Sequence, residues 1–135
     1  LKPFIDAHFR TKKDKANTAA IGSSMGGLIS FYMVWLYPEV FSKAACLSSG
    51  FYFDEGDIEG KAAASTARLN GSRLYLDCGD QDLDGDFLPD NERMHNILRK
   101  KKSITLKYMT FPGDKHNEYA WAKRLYIPLT FLFGK

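Results

Sequence analysis

Residues 18–28 read TAAIGSSMGGL, in which an apolar run enters a turn of small residues and a second apolar run leaves it. The first run is typical of a short buried strand, and the second, from Met25 to Tyr37, of a helix stopped by Pro38. The five residues Gly22-Ser23-Ser24-Met25-Gly26 between them match the pattern G-x-S-x-G. A strand that turns directly into a helix at this pattern indicates a nucleophile elbow with Ser24 at its tip.

Small residues on both sides of Ser24 meet the steric needs of such a turn. A serine at the tip adopts a strained backbone conformation, and residues two positions away must be small to avoid a clash. We therefore predict that Gly22 and Gly26 are the elbow glycines, and that Gly27 lets the helix pack close to the sheet. The Ser24 hydroxyl should project from the carboxyl edge of the sheet, with the Met25 amide as one oxyanion-hole donor. The alternative is a Gly/Ser-rich turn without chemistry.

Strands and helices alternate along the rest of the chain. Further strands are predicted at residues 43–47, 73–78 and 104–111, and further helices at residues 1–10, from near Asp90, and after Asn117 with a kink at Pro128. Residues 51–66 are expected to form an irregular excursion above the sheet. This alternation predicts an α/β fold with a mostly parallel sheet and helices on both faces.

The composition excludes several classes of protein. The chain has 135 residues, of which 44% are hydrophobic and 26% charged, enough for one core. Its net charge of +3 comes without an aromatic or Gly-rich recognition pattern, so we expect no nucleic-acid partner. No run approaches the roughly 20 apolar residues of a membrane span. Cys46 and Cys78 lie in apolar runs and are predicted to be buried free thiols, with a disulfide as the alternative.

A nucleophilic serine needs a histidine base, which a carboxylate must orient. At an elbow of this kind the acid and then the histidine follow the serine along the chain. His8 precedes Ser24 and is excluded by this order, while His95 lies within an amphipathic helix and is predicted to be a surface residue. His116 follows the fourth strand, whose carboxyl end should lie at the same edge as Ser24. The sequence therefore favours His116 as the base, over a plain loop histidine.

The acid is expected to follow the third strand, where residues 79–86 read GDQDLDGD. Asp82 is favoured because it lies just past the predicted strand end, with Asp80 and Asp86 as alternatives. The remaining carboxylates, including Asp84, should be exposed in the loop. The run also resembles an EF-hand loop, but position 12 is Asn91 and a strand leads into it. We therefore predict no metal ion, and leave open a cation bound by spare carboxylates.

With these elements in place, the whole chain resembles the putative-esterase family of α/β-hydrolases, which includes feruloyl-esterase-like, siderophore-esterase-like, esterase D-like and mycolyltransferase-like proteins. The matching stretches are residues 22–28, 37–41, 48–50 and 78–82, and His116 followed by Trp121. The resemblance implies an α/β-hydrolase fold, with Ser24 as nucleophile, Asp82 as acid and His116 as base. Trp121 is expected to be a packing residue.

The expected function is hydrolysis of a carboxylic ester, from a small-molecule or carbohydrate-linked substrate, without a cofactor. The alternatives are acyl transfer by the same triad and a non-catalytic binding domain. The chain begins at Leu1 rather than at methionine, which leaves its localisation open. Because only 23 residues precede Ser24, we expect residues 1–135 to be the C-terminal portion of a single α/β-hydrolase domain whose N-terminal strands are absent from this chain. We expect the elbow strand to be an open edge, covered in the functional protein by the N-terminal strands or by a partner chain.

Overall fold

A computed structural model describes residues 1–54, 57–64 and 67–134 of the chain. Four strands form one parallel sheet in the order β1–β2–β3–β4. The strands are β1 (Ala19–Ser23), β2 (Lys43–Leu47), β3 (Arg73–Gln81) and β4 (Thr105–Lys115). Because all four strands run in the same direction, their carboxyl ends meet at one edge of the sheet.

Helices connect and cover the strands. They are α1 (Lys2–His8), α2 (Met25–Leu36), α3 (Asp57–Ala64), α4 (Leu83–Leu98), α5 (Glu118–Arg124) and α6 (Tyr126–Phe133), with single 3₁₀ turns at Lys15–Asn17, Phe51–Asp54 and Ala67–Leu69. The predicted alternation of strands and helices is confirmed. The irregular excursion predicted for residues 51–66 is wrong where α3 forms, because Ile58 and Ala62 lie one helical turn apart and both pack into the core. Residues 55–56 and 65–66 lie outside the described part of the chain.

Both faces of the sheet are covered by helices, as predicted. Successive residues of β2 point to opposite faces, so Ala44 and Cys46 join one core while Ala45 and Leu47 join the other. The larger core holds residues of α2, α3 and α4, and the smaller one is completed by residues of α5 and α6. Cys46 and Cys78 are free and buried, which confirms their prediction, and burial raises the pKa of both thiols.

Helix α4 begins at Leu83, well before the predicted start near Asp90, and continues through Pro89. Its buried face recurs every three or four residues, at Asp84, Phe87, Asn91, Met94 and Leu98. The sequence carried this signal, because the spacing of Met94 and Leu98 extends backwards to residue 84. Acidic side chains in the first turn are also stabilised by the helix dipole. The acidic run after β3 is therefore mostly helix and not loop.

The last two helices are separated at Leu125, and not kinked at Pro128 as predicted. Pro128 lies in the first turn of α6, where its missing N–H breaks no intrahelical hydrogen bond. The break lets α5 and α6 pack as two short helices. Among the described residues, no helix is both long and apolar enough to cross a membrane.

The elbow strand β1 is an edge of the sheet. In the described part of the chain it pairs only with β2, which confirms the predicted open edge. Ile21 on this strand is 37% exposed. What covers the edge in the functional protein stays a prediction.

Candidate active site

Ser24 has the backbone of a strained turn. Its φ of 56° and ψ of −125° lie in a region that non-glycine residues rarely occupy. The turn is fixed on both sides, since the Ser24 amide donates to the Leu47 carbonyl at 2.9 Å and the Ser24 carbonyl accepts from the Gly27 amide at 3.0 Å. Helix α2 begins at Met25, so the Met25 amide belongs to the first turn, where amides have no intrahelical acceptor. This geometry agrees with the predicted elbow.

The elbow glycines differ in how strongly the structure requires them. A Cβ on Gly22 would lie 2.4 Å from the backbone carbonyl of Gly26, and a Cβ on Gly27 would lie 2.0 Å from the Ser49 hydroxyl oxygen. A Cβ on Gly26 would meet no described atom within 4 Å. The close approach of the two glycines therefore constrains Gly22, and the expectation that Gly26 must also be small stays a prediction.

Gly22→Ala is expected to destabilise the protein by about 1–3 kcal/mol or more, because the contact partner is rigid backbone. Gly60→Ala, on an exposed turn of α3 with open space around the new Cβ, is the matched control. It should instead raise the free energy of unfolding by about 0.5–1 kcal/mol. Chemical unfolding of both variants checks this, and equal effects at the two positions would contradict the close approach at the elbow.

His116 is oriented by Asp84, and not by Asp82. The His116 Nδ1 lies 2.6 Å from the Asp84 Oδ1, and the two side chains are 10% and 0% exposed. The expectation that an Asp82 carboxylate lies within reach of the ring is wrong. Asp82 is the N-cap of α4, its side chain is 61% exposed, and it faces Lys115 at 3.5 Å.

The early start of α4 explains this correction. Asp82 forms the sharp turn from β3 into the helix, with φ of 54°, and so points outward. Asp84 then lies in the first turn on the buried face. Asp80 instead accepts from the Gly113 amide at 2.8 Å, and Asp86 remains exposed. The expectation that Asp84 is an exposed loop carboxylate is wrong for the same reason.

Aromatic side chains of α4 and α5 contact the His116 ring. The His116 ring packs edge-to-face against Phe87 and against Trp121, with centroid distances of 5.0 and 4.8 Å. Trp121, on α5, also lines an apolar cleft together with Gly22 and Ser23 of the elbow. Trp121 thus contacts the His116 ring and also lines a cleft beside the strand that leads into Ser24.

The other two histidines lie elsewhere. His8 is exposed on α1, where its Nδ1 lies 2.8 Å from the Phe4 carbonyl oxygen. His95 stacks on Tyr108 at a centroid distance of 4.5 Å and is partly buried, so it is not the plain surface residue that we predicted. Burial, and then the nearby Arg99, lower the pKa of His95.

A buried network of hydrogen bonds links Asp84 to Ser48, Trp121 and Arg124. Ser48, at the end of β2, donates to the Asp84 Oδ2 at 2.7 Å and accepts from Trp121 Nε1 at 3.0 Å and Arg124 Nη2 at 2.7 Å. Arg124 is 2% exposed and pairs with Asp77 at 3.0 Å and Asp114 at 2.9 Å. Ser48 and Arg124 were missed in the assignment of the site, because nothing in their local sequence distinguishes them from packing residues.

The pKa values of Asp77 and Arg124 are both raised, which disfavours the charged form of the acid and favours the charged form of the base. Burial raises the pKa of Asp77, although the attraction of Arg124 opposes the shift. Burial by itself would lower the pKa of Arg124, but the attraction of Asp77 and hydrogen bonds to Asp77 and Asp114 outweigh it and raise the pKa. Arg124 therefore stays charged while buried. Among the described residues, no three His, Cys, Asp or Glu side chains are grouped so that they could hold a metal ion.

The family model described as "Putative esterase" matches residues 1–131. The chain belongs to this family. The match covers nearly the whole sequence, including the elbow, the acidic turn and the His116 loop. The resemblance to this family is thereby confirmed.

Two curated proteins are similar to the chain at modest sequence identity. Over 147 aligned residues the esterase-family chain is 23% identical to the uncharacterized protein YbbA of Bacillus subtilis, covering 98% of this chain and 56% of YbbA. An endo-1,4-beta-xylanase/feruloyl esterase of Xylanibacter ruminicola is 35% identical over 82 residues, covering 61% of this chain and 10% of that protein.

Solved structures confirm the α/β-hydrolase fold. The enterobactin esterase FES of Shigella flexneri, determined in the presence of enterobactin, superposes with a TM-score of 0.81 at 23% identity, over 96% of this chain and 34% of that one. The chain spans about half the length of YbbA and about a third of the length of the enterobactin esterase.

Proposed function

We propose that the protein containing this chain hydrolyses carboxylic esters through an acyl-enzyme, with Ser24 as nucleophile, His116 as base and Asp84 as the orienting acid. The observation that carries the proposal is the 2.6 Å contact between His116 Nδ1 and the buried Asp84 carboxylate, on the sheet edge where Ser24 forms a strained elbow. Membership of the esterase family supports the same reaction class.

In this mechanism the Nδ1–H of His116 donates a hydrogen bond to the Asp84 carboxylate, which leaves the unprotonated Nε2 as the base. Nε2 takes the Ser24 proton while the serine oxygen attacks the ester carbonyl carbon. The Met25 amide stabilises the oxyanion that forms, as the first helical amide beside the nucleophile. The alcohol leaves with the proton held by His116, and a water molecule activated by the same nitrogen then releases the acid.

The proposal is tested by labelling the full-length protein, as its gene encodes it, with a fluorophosphonate and mapping the modified peptide. The probe should attach to Ser24, and attachment should disappear in Ser24→Ala but persist in Ser23→Ala, the adjacent serine of the same turn. Labelling at another residue, or none in a folded protein, would rule the mechanism out. If labelling succeeds, the products formed in the presence of an added alcohol should be compared. Mainly free acid would indicate an esterase, and mainly a new ester would indicate an acyltransferase.

A further inference from the structure

The groups around the Ser48 hydroxyl determine where it accepts hydrogen bonds and where it donates one. The Trp121 indole and the Arg124 guanidinium are donors without acceptor capacity, and both contact the Ser48 hydroxyl oxygen. Ser48 has a single hydroxyl proton, which it donates to the Asp84 Oδ2 at 2.7 Å. The proton therefore lies between Ser48 and Asp84. Two groups on α5 thus fix a hydrogen bond to the carboxylate that holds His116.

The Asp84 carboxylate is held on both oxygens. Its Oδ2 accepts from Ser48 and from the Gly79 amide at 2.8 Å, which leaves Oδ1 to His116. A carboxylate fixed by several donors keeps one orientation, and so fixes the ring that it binds. The Arg124 Nη2 also lies 3.9 Å from Oδ2, so a positive charge lies close to the Asp84 carboxylate.

We propose that Arg124 is a positioning residue for the active site, acting through Ser48 to hold the Asp84 carboxylate against His116. The proposal rests on the proposed function, since it takes Asp84 as the acid of a Ser24-dependent esterase. Arg124 does not touch the reacting atoms in this scheme. Asp77 and Asp114 are its charge partners and hold the guanidinium in place through Nη2 and Nη1, respectively.

Removing Arg124 alone would leave Asp77 buried without its partner, which destabilises a protein strongly. The informative variant is therefore the double replacement Asp77→Asn/Arg124→Met, which removes both charges of the pair. We expect its thermal stability to be close to that of the wild type. Its kcat for p-nitrophenyl acetate should still be about 10- to 100-fold lower, the loss expected for a hydrogen bond to a charged group. The KM should change by less than about twofold, because the substrate does not contact Arg124.

Ser48→Ala should lower kcat to a similar extent, again with little change in KM. If Arg124 acts through Ser48, adding Ser48→Ala to the double variant should cause no further loss, since effects within one chain of contacts are not additive. Arg93→Met is the matched control, because Arg93 also pairs with carboxylates, Asp90 and Glu59, but its own side chain is 56% exposed and makes no contact with Ser48 or Asp84 among those described. Its kcat should equal that of the wild type.

A double variant with both wild-type stability and wild-type kcat would overturn the proposal and leave Arg124 a purely structural residue. So would losses that multiply between the double variant and Ser48→Ala, or a loss confined to KM. If the double variant does not fold, Ser48→Ala decides, because an unchanged kcat there removes the path to Asp84. Turnover that survives Ser24→Ala would instead refute the proposed function, which is a separate outcome.

Discussion

In the full-length protein, replacing Ser24 by alanine is expected to lower the turnover of p-nitrophenyl acetate by about 10⁴-fold or more, under the proposed function, while the protein remains folded. The reason lies in the elbow. Ser24 has a strained backbone, with φ of 56°, and strain of this kind is found most often at functional sites. In the described part of the chain, the hydrogen bonds that fix this turn are made by the Ser24 backbone amide and carbonyl, which alanine retains.

The control for this experiment is the melting temperature of the variant, which should be unchanged or slightly raised. Alanine removes only the hydroxyl oxygen and keeps the Cβ, so the turn gains no new steric conflict. A Ser24→Ala protein that retains more than about a tenth of wild-type turnover would mean that another nucleophile performs the reaction.

Asp84→Asn is expected to lower turnover by about 10⁴-fold, whereas Asp82→Asn should change it by less than about twofold. In the wild type, Ser48 and the Gly79 amide both donate to Asp84 Oδ2. An asparagine would turn its carbonyl oxygen to these two donors and so present its NH₂ group to His116. The imidazole would then need its proton on Nε2, the wrong tautomer for accepting the Ser24 proton.

Asp82 provides a sharp comparison because it lies two residues away on the same turn. Its side chain is mostly exposed and its ion pair with Lys115 spans 3.5 Å, an arrangement that contributes little. Steady-state kinetics of the two variants in parallel decide between the two aspartates. If Asp82→Asn proves the more damaging change, the assignment of the acid to Asp84 is wrong.

The sequence predicted the elements of the fold because each carries a local signal. Strand β2 was placed at its observed bounds, and α2 was placed within one residue, since the elbow glycines and Pro38 punctuate it. Helix α4 is predicted to begin near Asp90, too late, although its buried 3–4 spacing continues back to Asp84. Because of this one boundary, a helical first turn is interpreted as a loop, and Asp82 is favoured over Asp84 as the partner of His116.

By itself, the sequence determined which segments are strands, that Ser24 lies on an elbow between a strand and a helix, and that His116 follows the last strand. These properties depend on neighbouring residues and on chain order. Only the tertiary structure decided which carboxylate contacts His116. It also decided that Ser48 contacts this carboxylate and that Arg124 contacts Ser48. These contacts join β2, α4, the loop after β4 and α5 across separations of 32 to 76 residues, and no local pattern encodes which way a buried side chain on each of them points.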